Sequence, residues 1–351
     1  MQLTPIIKIL SICLCLVILP IKAAEIEKKL VLYNWEEYMP ESVLAAFYKE
    51  SGYKVEQIYY ETDELKDELV YSTKGKGIDL IIGSRLSFNQ YIQASGILAK
   101  IPDDKFPNKS HIDPLWIQNS GKVTEYSAPF LWGTLGIIYR KDLVTSPVTS
   151  WKALFEPEDS LKSKIIMLND ARDSMSAALL MLNYSINTTS PKEITEASKV
   201  LRKQRPYVRA YRYISLDEHS ELIDGSIHMT LGYNGDAMIL KESSDSIAYA
   251  VPSEGTQLWA DFIGVMEAST NKEAAFAFIN FIHQPERAAF ISEELGSAST
   301  NKSAEKFMSD EHTQNSLIYP PREILEKSEF LHTLPPRAQS MYNTTFLNIS
   351  R

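Results

Sequence analysis

The sequence predicts an α/β protein of two lobes, each a mostly parallel sheet flanked by helices. Runs of strand length alternate with helical periodicity in two successive blocks. At 351 residues the chain is too long for one ordinary core. No Gly/Ser linker, low-complexity tract or internal repeat divides it, which argues for lobes joined by strands passing between them.

The first block opens on the apolar run Lys29–Asn34. Val43, Leu44, Ala46 and Phe47 then fall at helical spacing over 41–50, and Gly52 supplies the stop. Residues 53–60 alternate as a strand. The segment 63–72 carries Leu65, Leu69 and Val70 on one helical face. Residues 78–82 read as a buried strand, and 89–95 as a short helix ended by Gly96. The second block runs strand 164–168, helices 174–184 and 192–203, strand 227–233 and a helix after Asn234. Strands 246–251 and 262–266 follow, then an amphipathic helix over 271–282 and another opened by Pro285 and closed by Gly296. The segments 126–139 and 257–265 read as crossings. They divide the chain into one lobe of 25–135 plus 260–303 and another of 136–259 plus 304–351.

Residues 1–24 are a separate object. Lys8, an apolar stretch over 9–20, and Ala23-Ala24 give the layout of a secretory signal. The stretch is shorter than the roughly 20 residues of a spanning helix. An uncleaved anchor and a lipidated Cys13 are the lesser alternatives. Both cysteines, Cys13 and Cys15, lie in this segment, so the mature chain has no disulfide, thiolate nucleophile or Cys-ligated zinc. A large exported chain without disulfides fits the bacterial periplasm. Removing 1–24 takes Lys8 and Lys22 and no acid, leaving 34 basic residues against 45 acidic ones, a net −11. That charge disfavours nucleic acid and suits cationic partners.

No nucleophile elbow, P-loop, dinucleotide fingerprint or zinc helix motif occurs, so no cofactor is expected. The six histidines lack metal-ligand spacing and read as structural or surface residues. What remains is a set of aromatic and acidic clusters: Asn34-Trp35-Glu36-Glu37-Tyr38, Asn169-Asp170-Ala171-Arg172-Asp173, Tyr233-Asn234 and Trp259-Ala260-Asp261. Three of the four follow a predicted strand, where open α/β sheets bind ligands. Trp259 and Asp261 instead precede the predicted strand 262–266. Aromatic faces beside carboxylates suit an organic cation, through cation–π attraction and charge-assisted hydrogen bonds.

YNWEEY at 33–38, IDLIIGS at 78–84, PFLWGTLGIIY at 129–139, NDARD at 169–173, YNG at 233–235, WAD at 259–261 and FINFIHQPERAA at 278–289 together resemble the spermidine/putrescine-binding proteins of bacterial ABC transporters. The resemblance covers nearly the whole mature chain. It implies the two-lobed periplasmic binding protein fold (type II), hinged on crossing strands, with a polyamine in the cleft and no catalysis. Trp35 and Tyr38 match channel-lining positions, Glu37 an acidic one, and Ser84 the turn after the third strand. Asp170 and Asp173 match an acidic pair, and Trp259 and Asp261 a Trp-x-Asp motif whose carboxylate takes an ammonium. Tyr233 stands where spermidine binders usually carry Trp, and Ser215 aligns with a polar contact by spacing. Leu86, Ser297 and Leu331 depart from aromatic or polar contact positions, which leaves spermidine, putrescine and norspermidine open. The implied partner is an inner-membrane ABC permease, with the protein acting as a monomer. A membrane sensor of the kind that controls cyclic-di-GMP and biofilm is the alternative partner. A glycosidase using paired carboxylates is a more distant reading.

Overall fold

A computed structural model describes residues 28–351. The expected secretory signal lies outside them. Strands β1 (Lys29–Asn34), β2 (Lys54–Tyr59) and β3 (Leu80–Ser84) pair in parallel, with β1 in the centre. The helices Glu41–Ser51 and Asp63–Thr73 make the right-handed returns that parallel neighbours require. Next come β4 (Ser127–Arg140), β5 (Ile165–Met167), β6 (Val208–Tyr211), β7 (Met229–Tyr233), β8 (Ile247–Ala250) and β9 (Gln257–Val265). The short β10 (Ala298–Ser299) and β11 (Glu329–Phe330) complete the set.

The main strand order is β2-β1-β3-β9-β4-β7-β5-β6. It reads as two parallel triplets, β2-β1-β3 and β7-β5-β6, joined through the antiparallel pair β9 and β4. The two long strands therefore belong to both halves. The apolar core divides in the same place. Ala128, Phe130, Leu131 and Trp132 pack with the first triplet, whereas Leu135 and Ile137 pack with the second. Leu258, Phe262 and Ile263 of β9 lie in the first core.

Most expected elements form within a few residues of their predicted bounds. The helix read as 174–184 is Ala171–Met181, because Asp170 caps it by accepting from the Arg172 and Asp173 amides at 2.7 and 2.8 Å. The helix read as 89–95 is Arg85–Ala94, capped by Ser84. The strand read as 262–266 is the end of β9, so Trp259 and Asp261 lie within a strand and not ahead of one. The helix Asp63–Thr73 is rotated from its predicted face. Val70 and Lys66 are buried, while Leu65 is 51% and Leu69 38% exposed. The C-terminal helix Pro336–Ser350 was not expected; its Ala338, Tyr342 and Ile349 close the second core. Among the described residues no helix is long and apolar enough to cross a membrane.

Candidate functional site

The site grows from β9. In a strand alternate side chains share a face, so Gln257, Trp259 and Asp261 line one side of this crossing strand over a backbone length of about 13 Å. At one end the Tyr38 hydroxyl donates to Asp261 Oδ2 at 3.0 Å. Asp261 is also the register partner of Ser84 at the end of β3. At the other end Gln257 Nε2 donates to Asp173 Oδ1 at 2.6 Å, and the Tyr233 hydroxyl donates to Asp173 Oδ2 at 2.5 Å. Each end is thus a carboxylate held by a tyrosine. Tyr38 follows β1 of the first triplet and Tyr233 ends β7 of the second, with Trp259 between the two pairs.

Close approach of backbone and rings shapes the floor. A Cβ on Gly133, the register partner of Trp259, would lie 2.1 Å from Asn234 Oδ1 and 2.5 Å from Trp259 Cζ2. Only glycine admits both side chains there. Asn234 Oδ1 accepts from the Thr134 amide at 3.1 Å. Trp259 Nε1, Gln257 Oε1 and Asn234 Nδ2 are buried without a hydrogen-bond partner among the described residues. Leaving such groups unpaired costs about 1–3 kcal/mol each.

Burial disfavours the ionised form of the carboxylates. Burial, and then the charge of Asp170, push Asp173 up to about 7. Burial, and then Asp63, push Asp261 up to about 6, although the Tyr38 hydroxyl pulls the other way. A third buried acid, Asp236, is pushed up to about 6 by burial; it accepts from the Tyr213 hydroxyl and the Tyr233 amide, each at 3.0 Å. Burial and the adjoining carboxylates hold the Tyr38 and Tyr233 phenols well above their ordinary value, so both remain donors. Arg172, a sequence neighbour of both acids, faces elsewhere: it donates to the His332 carbonyl at 3.2 Å and to Asn187 Oδ1 at 3.1 Å.

The family model for bacterial extracellular solute-binding proteins matches residues 42–319. The chain belongs to this family. Over 309 residues this solute-binding protein is 32% identical to the spermidine/putrescine-binding periplasmic protein of Escherichia coli (strain K12), across 88% of this chain and 87% of that one. It is 28% identical to the norspermidine sensor of Vibrio cholerae over 302 residues, 85% and 82% of the two chains. A solved spermidine/putrescine ABC transporter substrate-binding protein from Streptococcus pneumoniae matches with a TM-score of 0.84 at 25% identity, covering 92% of this chain and 98% of that one. The two-lobed binding-protein architecture expected from the sequence is the fold of this solute-binding protein.

The remaining expected residues of the solute-binding protein are placed unevenly. The Trp35 ring lies 4.3 Å from that of Tyr60 at a tilt of 55°, and the Tyr60 ring is 5.0 Å from that of Tyr33. Glu37 is exposed on the turn after β1, at φ 56, a left-handed conformation that glutamate rarely adopts. Asp170 is exposed at its helix start beside Asp173. Ser84 is engaged in capping and with Ser87. Ser215 is not brought to the cluster: it is exposed, and its hydroxyl donates to Asp217 at 2.9 Å. Local turn chemistry occupies it, and Tyr213, two residues earlier, is the side chain that reaches inward to Asp236. Ser297 is buried in a turn with Ser292 and Leu295, and Leu331 packs against the second core. Sequence reasoning missed Gln257, whose signal was the alternation Gln-x-Trp-x-Asp. It also missed Tyr60, Asp63 and Lys66, which stand near Asp261.

Proposed function

We propose that this protein binds a linear polyamine between Asp261 and Asp173 and presents it, in the periplasm, to an inner-membrane ABC permease. One observation carries the reading. Two partly buried acid–tyrosine pairs stand at opposite ends of one face of β9, with an indole between them. An ammonium at each end would restore the ionised state that burial disfavours, and the methylene chain would lie on Trp259. Glu37, Asp170, Trp35 and Tyr38 would complete the acidic and aromatic walls, and the lobes would close about β4 and β9. The names of the relatives support the same class of ligand. Nothing in this reading makes or breaks a bond, so the role is binding and not catalysis.

Titration calorimetry with putrescine, cadaverine, norspermidine, spermidine and spermine tests it. A single saturable site for at least one of them is expected. Silence across the series would overturn the reading. The likeness to a norspermidine sensor favours a second partner, a membrane signalling protein read out by the same closed form. Permease genes beside this gene would decide for transport, and a lone sensor gene for signalling.

A further inference from the structure

The helix Asp63–Thr73 buries a lysine while leaving two leucines in solvent. Lys66 has no exposed surface. Its ammonium donates to Ser87 Oγ at 3.0 Å, pairs with Asp63, lies 3.5 Å from Asp67 Oδ1, and sits 5.2 Å from the centre of the Tyr60 ring. The backbone makes room for it: a Cβ on Gly83, next to Ser84, would fall 3.0 Å from Nζ. Two carboxylates, a hydroxyl and an aromatic face are the surroundings a polyamine nitrogen would seek. They lie beside the first-lobe end of the cleft, since the Tyr60 ring adjoins that of Trp35 and both Lys66 and Asp63 act electrostatically on Asp261.

We propose that Lys66 is a resident ammonium that closes the Tyr60–Asp63 end of the cleft, so that the site takes a short diamine in preference to a triamine. The proposal rests on the polyamine reading above. A ligand nitrogen can pair with Asp261, but the next acidic and aromatic position is already filled by the protein's own cation. A second ligand charge directed there would have to displace the Lys66 ammonium from Asp63, Asp67 and Ser87 or lie beside it.

Titration calorimetry on the full mature protein and its Lys66→Met variant, with putrescine and spermidine, tests this. Methionine keeps the length and loses the charge. Wild type is expected to bind putrescine more tightly than spermidine, and the variant to shift the ratio of dissociation constants at least tenfold toward spermidine. Lys66→Gln, which retains the hydrogen bond to Ser87, should shift the ratio in the same direction and stands in if the methionine variant does not fold. Tighter spermidine than putrescine binding by wild type, or an unchanged ratio in a folded variant, would overturn the role of Lys66 and leave the polyamine reading intact. If no polyamine binds to wild type or variant, both fall.

Discussion

Lowering the pH from 8 to 5.5 should release the ligand while stabilising the free protein. Asp173, pushed up to about 7, and Asp261, pushed up to about 6, are both ionised at pH 8. At pH 5.5 only about 3% of Asp173 and about a quarter of Asp261 remain ionised. The amines of a polyamine stay charged throughout. If both carboxylates must be anionic to bind, affinity falls on the order of a hundredfold across this range. The sign for stability is opposite. These groups bind protons more tightly in the folded than in the unfolded chain, whose reference value is 3.8. Their contribution is therefore most favourable below about 4 and is lost as pH rises toward 7. Between pH 8 and 5.5 the change for Asp173, Asp236 and Asp261 together is a few kcal/mol. Calorimetric titrations at half-unit steps measure the first trend, and ligand-free thermal unfolding in the same buffers measures the second. Binding at pH 6.5 should also release protons, seen as a dependence of the observed heat on the buffer's ionisation enthalpy. An affinity flat between pH 8 and 5.5 would refute the assignment of these two acids to the ligand.

Three further outcomes follow from the geometry. Asp261→Asn should weaken polyamine binding more than tenfold by calorimetry, since a hydrogen bond to a charged group contributes about 1.5–3 kcal/mol; unchanged affinity would remove Asp261 from the ligand. Gly133→Ala should destabilise by about 1–3 kcal/mol, because its Cβ overlaps Asn234 and Trp259. It should also weaken binding, whereas Gly235→Ala, with nothing within 4 Å of the added Cβ, should leave thermal unfolding nearly unchanged. Glu37→Gly should raise stability by up to about 1 kcal/mol by relieving the left-handed backbone, yet lower affinity several-fold; equal affinity would show that Glu37 does not face the ligand.

The fold was largely legible because its signals are local. Apolar runs, helical spacing and stops at Gly52 and Gly96 mark the parallel triplets, and the absence of a linker pointed to the crossings. The helix Ala171–Met181 was placed late because its start depends on a cap, Asp170, which the sequence reading had set aside as a ligand group. Residues 63–73 misled for a deeper reason. Periodicity ranks Leu65 and Leu69 above Lys66 for burial, but their environment is set by Tyr60, Ser87 and Gly83, which are remote in sequence. Of the aromatic and acidic motifs, Tyr38, Asp173, Tyr233, Trp259 and Asp261 come together along β9, since strand ends converge in this topology. Gln257 was hidden because the Gln-x-Trp-x-Asp alternation is a signal only once the face shared by Trp259 and Asp261 is known. Ser215 lies away from the cluster because spacing in an irregular segment does not fix where a side chain lands.

The two ends of the cleft differ in kind. At the Asp173 end Asp170 adjoins Asp173, Tyr233 links Asp173 to Asp236, and Arg172 is turned to the His332 carbonyl and Asn187. The burial of Asp173 and Asp236 is offset by donors from Tyr233, Tyr213 and Gln257 and, for Asp173, by the field of Arg172, which makes no ion pair with it. At the Asp261 end, Lys66 already lowers the local negative potential. Removing a charge from water is favourable only when an opposite charge meets it, so an incoming cation gains most at the Asp173 end. With closure, the second ligand nitrogen would then meet Asp261 in the other lobe. On this reading the second lobe captures and the first lobe measures length, with Lys66 as the stop. The energy stored by the unpaired acids is what closure would release, which is why the pH at which they lose their charge should also be the pH at which the protein stops closing on its ligand.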